Sequence, residues 1–247
     1  MARPLVWRSI GVGSIFPSAA MAMPPGQAMP GATPSPDVSK VRKGLRVAGI
    51  GLILASILYI FGPVGGVSGG IVFVIGSALV FSGRSAWPAQ KAGVAAGFGM
   101  IVVGYIIGIV AAVLNLRNLR AFTGPLTSLT TLDVAAFQYA LIAVIVAGVL
   151  TEIGVVVLPW RFASGNSKGL IAAGAGLSIV GLLLGAVLAL GVLAGVTGGS
   201  VTTNQRDALV TDHFIGVSIL LVGGIVAGVG YFRARGRLPA APLASAM

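Results

Sequence analysis

The sequence predicts an all-α fold: a polytopic transmembrane bundle of six helices, arranged as three tandem helical hairpins. Three observations carry this expectation. Of 247 residues, 56% are hydrophobic and 9% charged, whereas a soluble domain carries about 25% charge. The apolar residues fall in six runs near the ~20-residue length that crosses a bilayer. The 16 Lys and Arg residues, against 5 acids, gather at the ends of those runs. The same composition excludes a disordered chain, which is polar and charged. Collagen is excluded too, because the 38 glycines show no three-residue period.

Residues 1–43 read as an N-terminal cytoplasmic or interfacial arm ending in a Pro-rich linker. Leu5, Val6, Trp7, Ile10 and Phe16 suit a membrane surface. Ala20-Met21-Ala22 has the small-residue form of a signal-peptide cleavage site, but Pro17 breaks the apolar stretch before it, and we expect the arm to be retained. Pro24 to Pro36 has no packing capacity. Residues 44–232 form the transmembrane domain, with spans expected at Gly44–Gly62, Val64–Gly83, Ala92–Leu114, Val134–Leu158, Gly169–Val196 and His213–Phe232. A helix is the open structure that satisfies such backbone in lipid. Residues 233–247 form a short basic tail.

Lys and Arg set the orientation. With the N-terminus cytoplasmic, the inner side holds 13 of them and the outer side 3, namely Arg117, Arg120 and Arg206. Both termini are therefore expected in the cytoplasm, and the protein is expected as a multi-pass protein of the cell membrane. A nucleic-acid partner is not expected, since such binders cluster basic residues with aromatics on a soluble face.

The odd-numbered helices open alike. Lys43, Lys91 and Lys168 each begin Lys-x4-Ala-Gly-x-Gly, followed by Leu or Met, and the even helices close with Arg84, Arg161 and Arg233. This pattern fits a hairpin repeat of the kind found in membrane carriers, but a Gly- and Ala-rich composition with lysines at cytoplasmic helix ends gives it too, and Ala-Gly-x-Gly recurs at Ala227 to Gly230 without a lysine. Glycines recur at helix-face spacing: Gly93, Gly97, Gly104 and Gly108 in the third helix, Gly174, Gly181 and Gly185 in the fifth, Gly224 and Gly228 in the sixth. Small residues let lipid-embedded helices approach closely. These faces are expected to join the helices, or to bind the chain to itself or to other membrane subunits.

Chemistry-bearing residues are few. Absence of cysteine removes disulfides and thiolate sites, and a single histidine removes a polyhistidine metal site. No cofactor, metal site or catalytic residue is expected. Met21, Met23 and Met29 are soft ligands of the copper(I) type, but lie loose in the arm. Asn115 to Phe122, with Arg117 and Arg120, reads as an interfacial helix, and Thr130, Thr131, Asp133, Thr211 and Asp212 read as helix caps.

Glu152 is the one acid well inside a span. It lies about 9 Å from the cytoplasmic end of its helix by helical rise. Arg46, one turn into the first helix, is the expected ion-pair partner at comparable depth. Without such a partner, Glu152 becomes a coupling site for a proton or cation, with Thr151 beside it.

Gly66-Val67-Ser68-Gly69-Gly70, together with His213-x-x-Gly216, resembles the serine–histidine dyad of rhomboid intramembrane proteases. That resemblance implies Ser68 as nucleophile and His213 as base. The serine falls between helices one and two rather than on a fourth span, and the family's Trp-Arg loop and second-helix His-Asn are missing. The leading expectation is a non-catalytic structural or accessory component of a membrane assembly. A small-solute or ion transporter or channel using Glu152 stands second, and the serine hydrolase is a remote third.

Overall fold

The structure is a computed structural model that describes residues 36–61, 63–114, 134–196, 202–236 and 238. Among these residues the chain is helical without strands, in six α-helices: α1 (Pro36–Leu58), α2 (Pro63–Ser82), α3 (Lys91–Leu114), α4 (Val134–Val157), α5 (Gly165–Ala194) and α6 (Thr203–Gly236). A 3-10 turn, Tyr59–Phe61, follows α1, and two more, Arg84–Ala86 and Pro88–Gln90, join α2 to α3. Residues 1–35 of the arm, with its cleavage pattern and methionines, the Asn115–Phe122 segment, Thr130, Thr131 and Asp133 lie outside the described residues, whereas residues 36–43, expected as the end of the arm, are the first turns of α1.

The helices from α2 to α6 are long and apolar enough to cross a membrane. Helix α1 differs, because Lys40, Arg42, Lys43 and Arg46 occupy its first half. It nevertheless lies beside α2 along its whole length. Gly44 packs on Val80, Ala48 on Gly76, Gly51 on Phe73 and Ala55 on Gly69. Steps forward along one helix match steps back along the other, which is an antiparallel hairpin in constant register.

The same register recurs twice. A methyl group on Gly154 would stand 2.8 Å from the Gly97 carbonyl oxygen, and one on Gly223 would stand 2.7 Å from that of Gly174. In hairpin one, a methyl on Gly44 would stand 2.8 Å from the Gly76 oxygen. Gly44, Gly97 and Gly174 are therefore equivalent, and each is followed seven residues later by a glycine, Gly51, Gly104 and Gly181. The return-helix glycines Gly76, Gly154 and Gly223 face Ala48, Ile101 and Ser178, each four residues after the first glycine.

The repeat is thus present in three hairpins, but its register in α1 differs from the lysine-based one. That alignment put Gly49 with Gly97 and Gly174, whereas Gly44 takes this place five residues earlier. Gly49 instead turns to α6, where a methyl would stand 3.1 Å from the Gly228 oxygen. Helix α1 uses small residues on two faces, and the lysine marks the charged membrane boundary rather than the packing register.

Each helix packs on the next in sequence, and α6 returns to α1, so the six close into a ring. Contact is dense within hairpins and sparse at the α2–α3 and α4–α5 seams. Tyr231 of α6 fills the middle. It is 0% exposed, meets the Phe73 ring edge-on at 6.3 Å between centroids and donates a 2.8 Å hydrogen bond to the Val155 carbonyl.

Helix α6 begins ten residues before the expected start at His213. Thr202 and Gln205 form a capping box. The Thr202 amide donates to Gln205 Oε1 at 3.0 Å, and the Gln205 amide donates to Thr202 Oγ1 at 3.3 Å. Thr211 and Asp212 are consequently not caps. They sit inside the helix, where Thr211 Oγ1 donates to the Asp207 carbonyl at 2.8 Å.

The end of the ring that holds most of the basic residues is also aromatic. Lys168 Nζ stands 5.3 Å from the centre of the Trp160 ring, Arg84 lies 3.6 Å over Phe81, and Trp87 meets Phe162 at 4.9 Å. This is the composition of a membrane interface. There Asp37 accepts hydrogen bonds from Ser85 Oγ and, at 3.1 Å, from Lys40 Nζ. The Ser85 bond first, and Lys40 second, hold the Asp37 carboxyl below its ordinary value.

Candidate functional site

Helix α4 turns different faces to its two neighbours. Ala147, Thr151, Gly154 and Leu158 meet α3, while Gly148 meets Leu182 of α5. Glu152, one turn after Gly148, follows onto the α5 side. It therefore stands at the sparse seam between hairpins two and three.

Its depth exceeds the expected one. Thr151 packs on Gly104, which lies 13 residues beyond Lys91, or about 20 Å along α3 by helical rise. Ser178 lies ten residues beyond Lys168 on α5, or about 15 Å. The apolar core of a bilayer is about 30 Å thick. Helix α4 stops early, at Leu158-Pro159, while α3 and α5 run on, so counting back along α4 underestimates the depth. Glu152 sits near the middle of the bundle's thickness.

The structure does not bring Arg46 to Glu152. Arg46 is exposed on α1, which packs chiefly on α2 and α6, and among the described residues no ion pair joins the two. What Glu152 meets are hydroxyl groups. The Ser178 hydroxyl lies close enough to act on the carboxyl. Tyr105 of α3 and Tyr231 of α6 stand within range of its charge. Neither Glu152 Oε2 nor Ser178 Oγ has a hydrogen-bond partner, although both atoms are buried.

Ser178 is unusual among the intramembrane hydroxyls. Ser56, Ser77, Thr151 and Ser218 each donate to the carbonyl four residues back, at 2.8, 2.9, 2.8 and 2.7 Å. That back-bond is the ordinary way for a helix to satisfy a buried hydroxyl. Ser178, 2% exposed, does not make it. Its Oγ points at Gly223, where a methyl group would come within 2.5 Å of it. An unsatisfied hydroxyl and an unsatisfied carboxylate oxygen thus lie near one another across the α4–α5 seam.

Comparison with protein-family models, with curated proteins and with solved structures finds no match. The assignment therefore rests on the geometry of this chain alone.

Ser68 is exposed on α2. His213 meets the rings of Tyr59 and Phe214, each at 6.0 Å between centroids, and the Tyr59 ring also fills the space beside Gly66.

Sequence reasoning singled out Glu152. It missed Tyr231. Two residues before Arg233, that tyrosine has the position of an interface anchor, and packing alone shows that it turns inward. The sequence holds one usable signal for Ser178: its place four residues after Gly174, where Ala48 and Ile101 stand in the other hairpins.

Most of the glycines read as contact faces are used inside the ring. Gly97, Gly104 and Gly108 meet α4, Gly174, Gly181 and Gly185 meet α6, and Gly224 and Gly228 meet α1, whereas Gly93 faces open space. Small residues that face outward, with no atom within 4 Å, also include Gly165, Gly169 and Gly176 of α5.

Proposed function

We propose that this is a non-catalytic, multi-pass protein of the cell membrane that moves a small ion or solute through the α4–α5 seam, with Glu152 as the exchangeable site. The unpartnered Glu152 Oε2 supports this reading more than any other observation. A charged, unpaired carboxylate at that depth costs several kcal/mol, so an acid kept there marks a pathway by default. The sparse seam offers a place where hairpins two and three can shift with few contacts broken. In reconstituted liposomes driven by a pH gradient or membrane potential, Glu152→Gln is expected to lower flux at least about tenfold while the unfolding temperature stays near that of the wild type. Unchanged flux would sink this reading.

A second reading, an accessory subunit of a larger assembly, is supported by the outward glycines of α5, Gly165, Gly169 and Gly176. Wild-type flux in Glu152→Gln, with a stoichiometric partner retained in mild detergent, would favour it instead.

The distribution of positive residues supports cytoplasmic termini under either reading. The chain has no cysteine, so a single introduced thiol reports its own location. In intact cells, Ser85→Cys and Ser164→Cys are expected to resist a membrane-impermeant maleimide, and Thr202→Cys to react. The reverse pattern would invert the topology.

A further inference from the structure

We propose that Glu152 and Ser178 form a proton-binding site across the α4–α5 seam, a carboxyl–hydroxyl pair that takes up one proton and discriminates against Na+ and K+. The inference deepens the transport reading, since it names the ion held at that same site.

The hydrogen-bond inventory points to a proton. When Glu152 is ionised, the Ser178 hydroxyl is free to donate to Oε2, because it makes no bond to the carbonyl four residues back. When Glu152 takes a proton, the new O–H donates to Ser178 Oγ. The serine side chain then swings toward the Gly174 carbonyl, the back-bond that hydroxyls in other helices already make. Each state is reached by side-chain rotation, with no change of backbone. Among the buried side-chain atoms without partners are the two that a single proton would join, Glu152 Oε2 and Ser178 Oγ.

A bare metal cation fits less well. Hard cations take about six oxygen ligands, and this seam supplies one carboxyl. Among the described residues, no group of three His, Cys, Asp or Glu side chains converges anywhere.

The surrounding charges leave Glu152 to titrate alone. From α3 it faces Tyr105 and from α6 it faces Tyr231, both neutral phenols. Helix α5 contributes Ser178, and its one ionisable residue, Lys168, is held over Trp160 at the interface. On α4 itself the other ionisable group is Tyr139, exposed toward the opposite end. Tyr231 also bonds to the Val155 carbonyl one turn from Glu152, so α6 lies within reach of any change in this carboxyl's charge.

The test uses the full-length protein in lipid nanodiscs and an apolar carbodiimide, which attacks a protonated carboxyl and leaves a stable N-acylurea adduct. The modified residue is located by peptide mass spectrometry. Glu152 is expected to be the site of modification, with a rate that falls about tenfold per pH unit above the site's midpoint, as loss of one proton requires. Replacing choline chloride by NaCl or KCl at constant pH is expected to leave the rate unchanged. Ser178→Ala is expected to move the midpoint upward, because the carboxylate loses a charge-assisted donor. Protection by Na+ or K+ would overturn the proposal in favour of a metal-cation site. A pH-independent rate, an unmodified Glu152, or a midpoint untouched by Ser178→Ala would overturn it outright. Labelling needs no flux, so proton titration without transport would sink the transport reading and leave the site standing. Transport without proton titration would do the opposite.

Discussion

Gly76→Ala, Gly154→Ala and Gly223→Ala are each expected to lower the stability of the purified protein in detergent, while Gly169→Ala and Gly176→Ala leave it unchanged or raise it. All five substitutions add one methyl group to a transmembrane helix, and all gain up to about 1 kcal/mol of helix propensity. What separates them is the neighbour. At Gly154 the methyl would stand 2.8 Å from the Gly97 oxygen and 3.0 Å from the Ile101 nitrogen, and at Gly223 it would stand 2.6 Å from the Ser178 nitrogen. The Gly76 methyl would press on the backbone of Ala48. Backbone in a hairpin cannot rotate away, so the helices must separate along their length, and overpacking of this kind costs roughly 1–3 kcal/mol. At Gly169 and Gly176 nothing lies within 4 Å. Thermal unfolding followed by circular dichroism reads the difference. Equal midpoints for both sets would show that the glycine register does not hold the hairpins together.

Tyr231→Ala is expected to be among the most damaging single changes, and Tyr231→Phe nearly silent for stability. The ring touches three other helices: it packs over Gly49 of α1 and against Phe73 of α2, and its hydroxyl reaches Val155 of α4. Truncation opens a cavity where the ring stood, for which buried aromatic-to-alanine changes cost about 3–5 kcal/mol. The phenylalanine variant keeps the packing and loses one hydrogen bond, worth about 0.6 kcal/mol on average between membrane helices. Unfolding midpoints in detergent separate the two. A severe loss in Tyr231→Phe would mean that the hydrogen bond, rather than the ring, closes the centre.

Much of this architecture was legible because lipid imposes simple rules on sequence. Length of apolar run placed α3 and α4 to within a residue or so, and glycine spacing marked the faces that meet. The start of α6 was not legible from hydropathy, since Asn204, Gln205, Arg206 and Asp207 are polar and yet helical. The Thr202–Gln205 capping box carried that information in four letters. Partnership was the harder problem. Depth along its own helix suggested Arg46 for Glu152, but depth along one helix does not say which helices are neighbours. Closing the ring put α1 beside α6 and left α4 between α3 and α5. The unusual state of Ser178 was hidden for a similar reason, because it comes from the side chain's aim at Gly223 on a different helix.

The return of α6 to α1 has a consequence for the order in which the chain is threaded. Arg42 near the start of α1 donates a 3.0 Å hydrogen bond to the carbonyl of Leu238, just past the end of α6. The two helices lie antiparallel and as close as members of a hairpin at Gly49 and Gly228. In space, the junction between last and first helix is of the same kind as the junctions that a loop joins. Hairpins three and one are thus joined in space more closely than either is to hairpin two, although no loop links them, and a chain opened at another seam would meet the same set of neighbours.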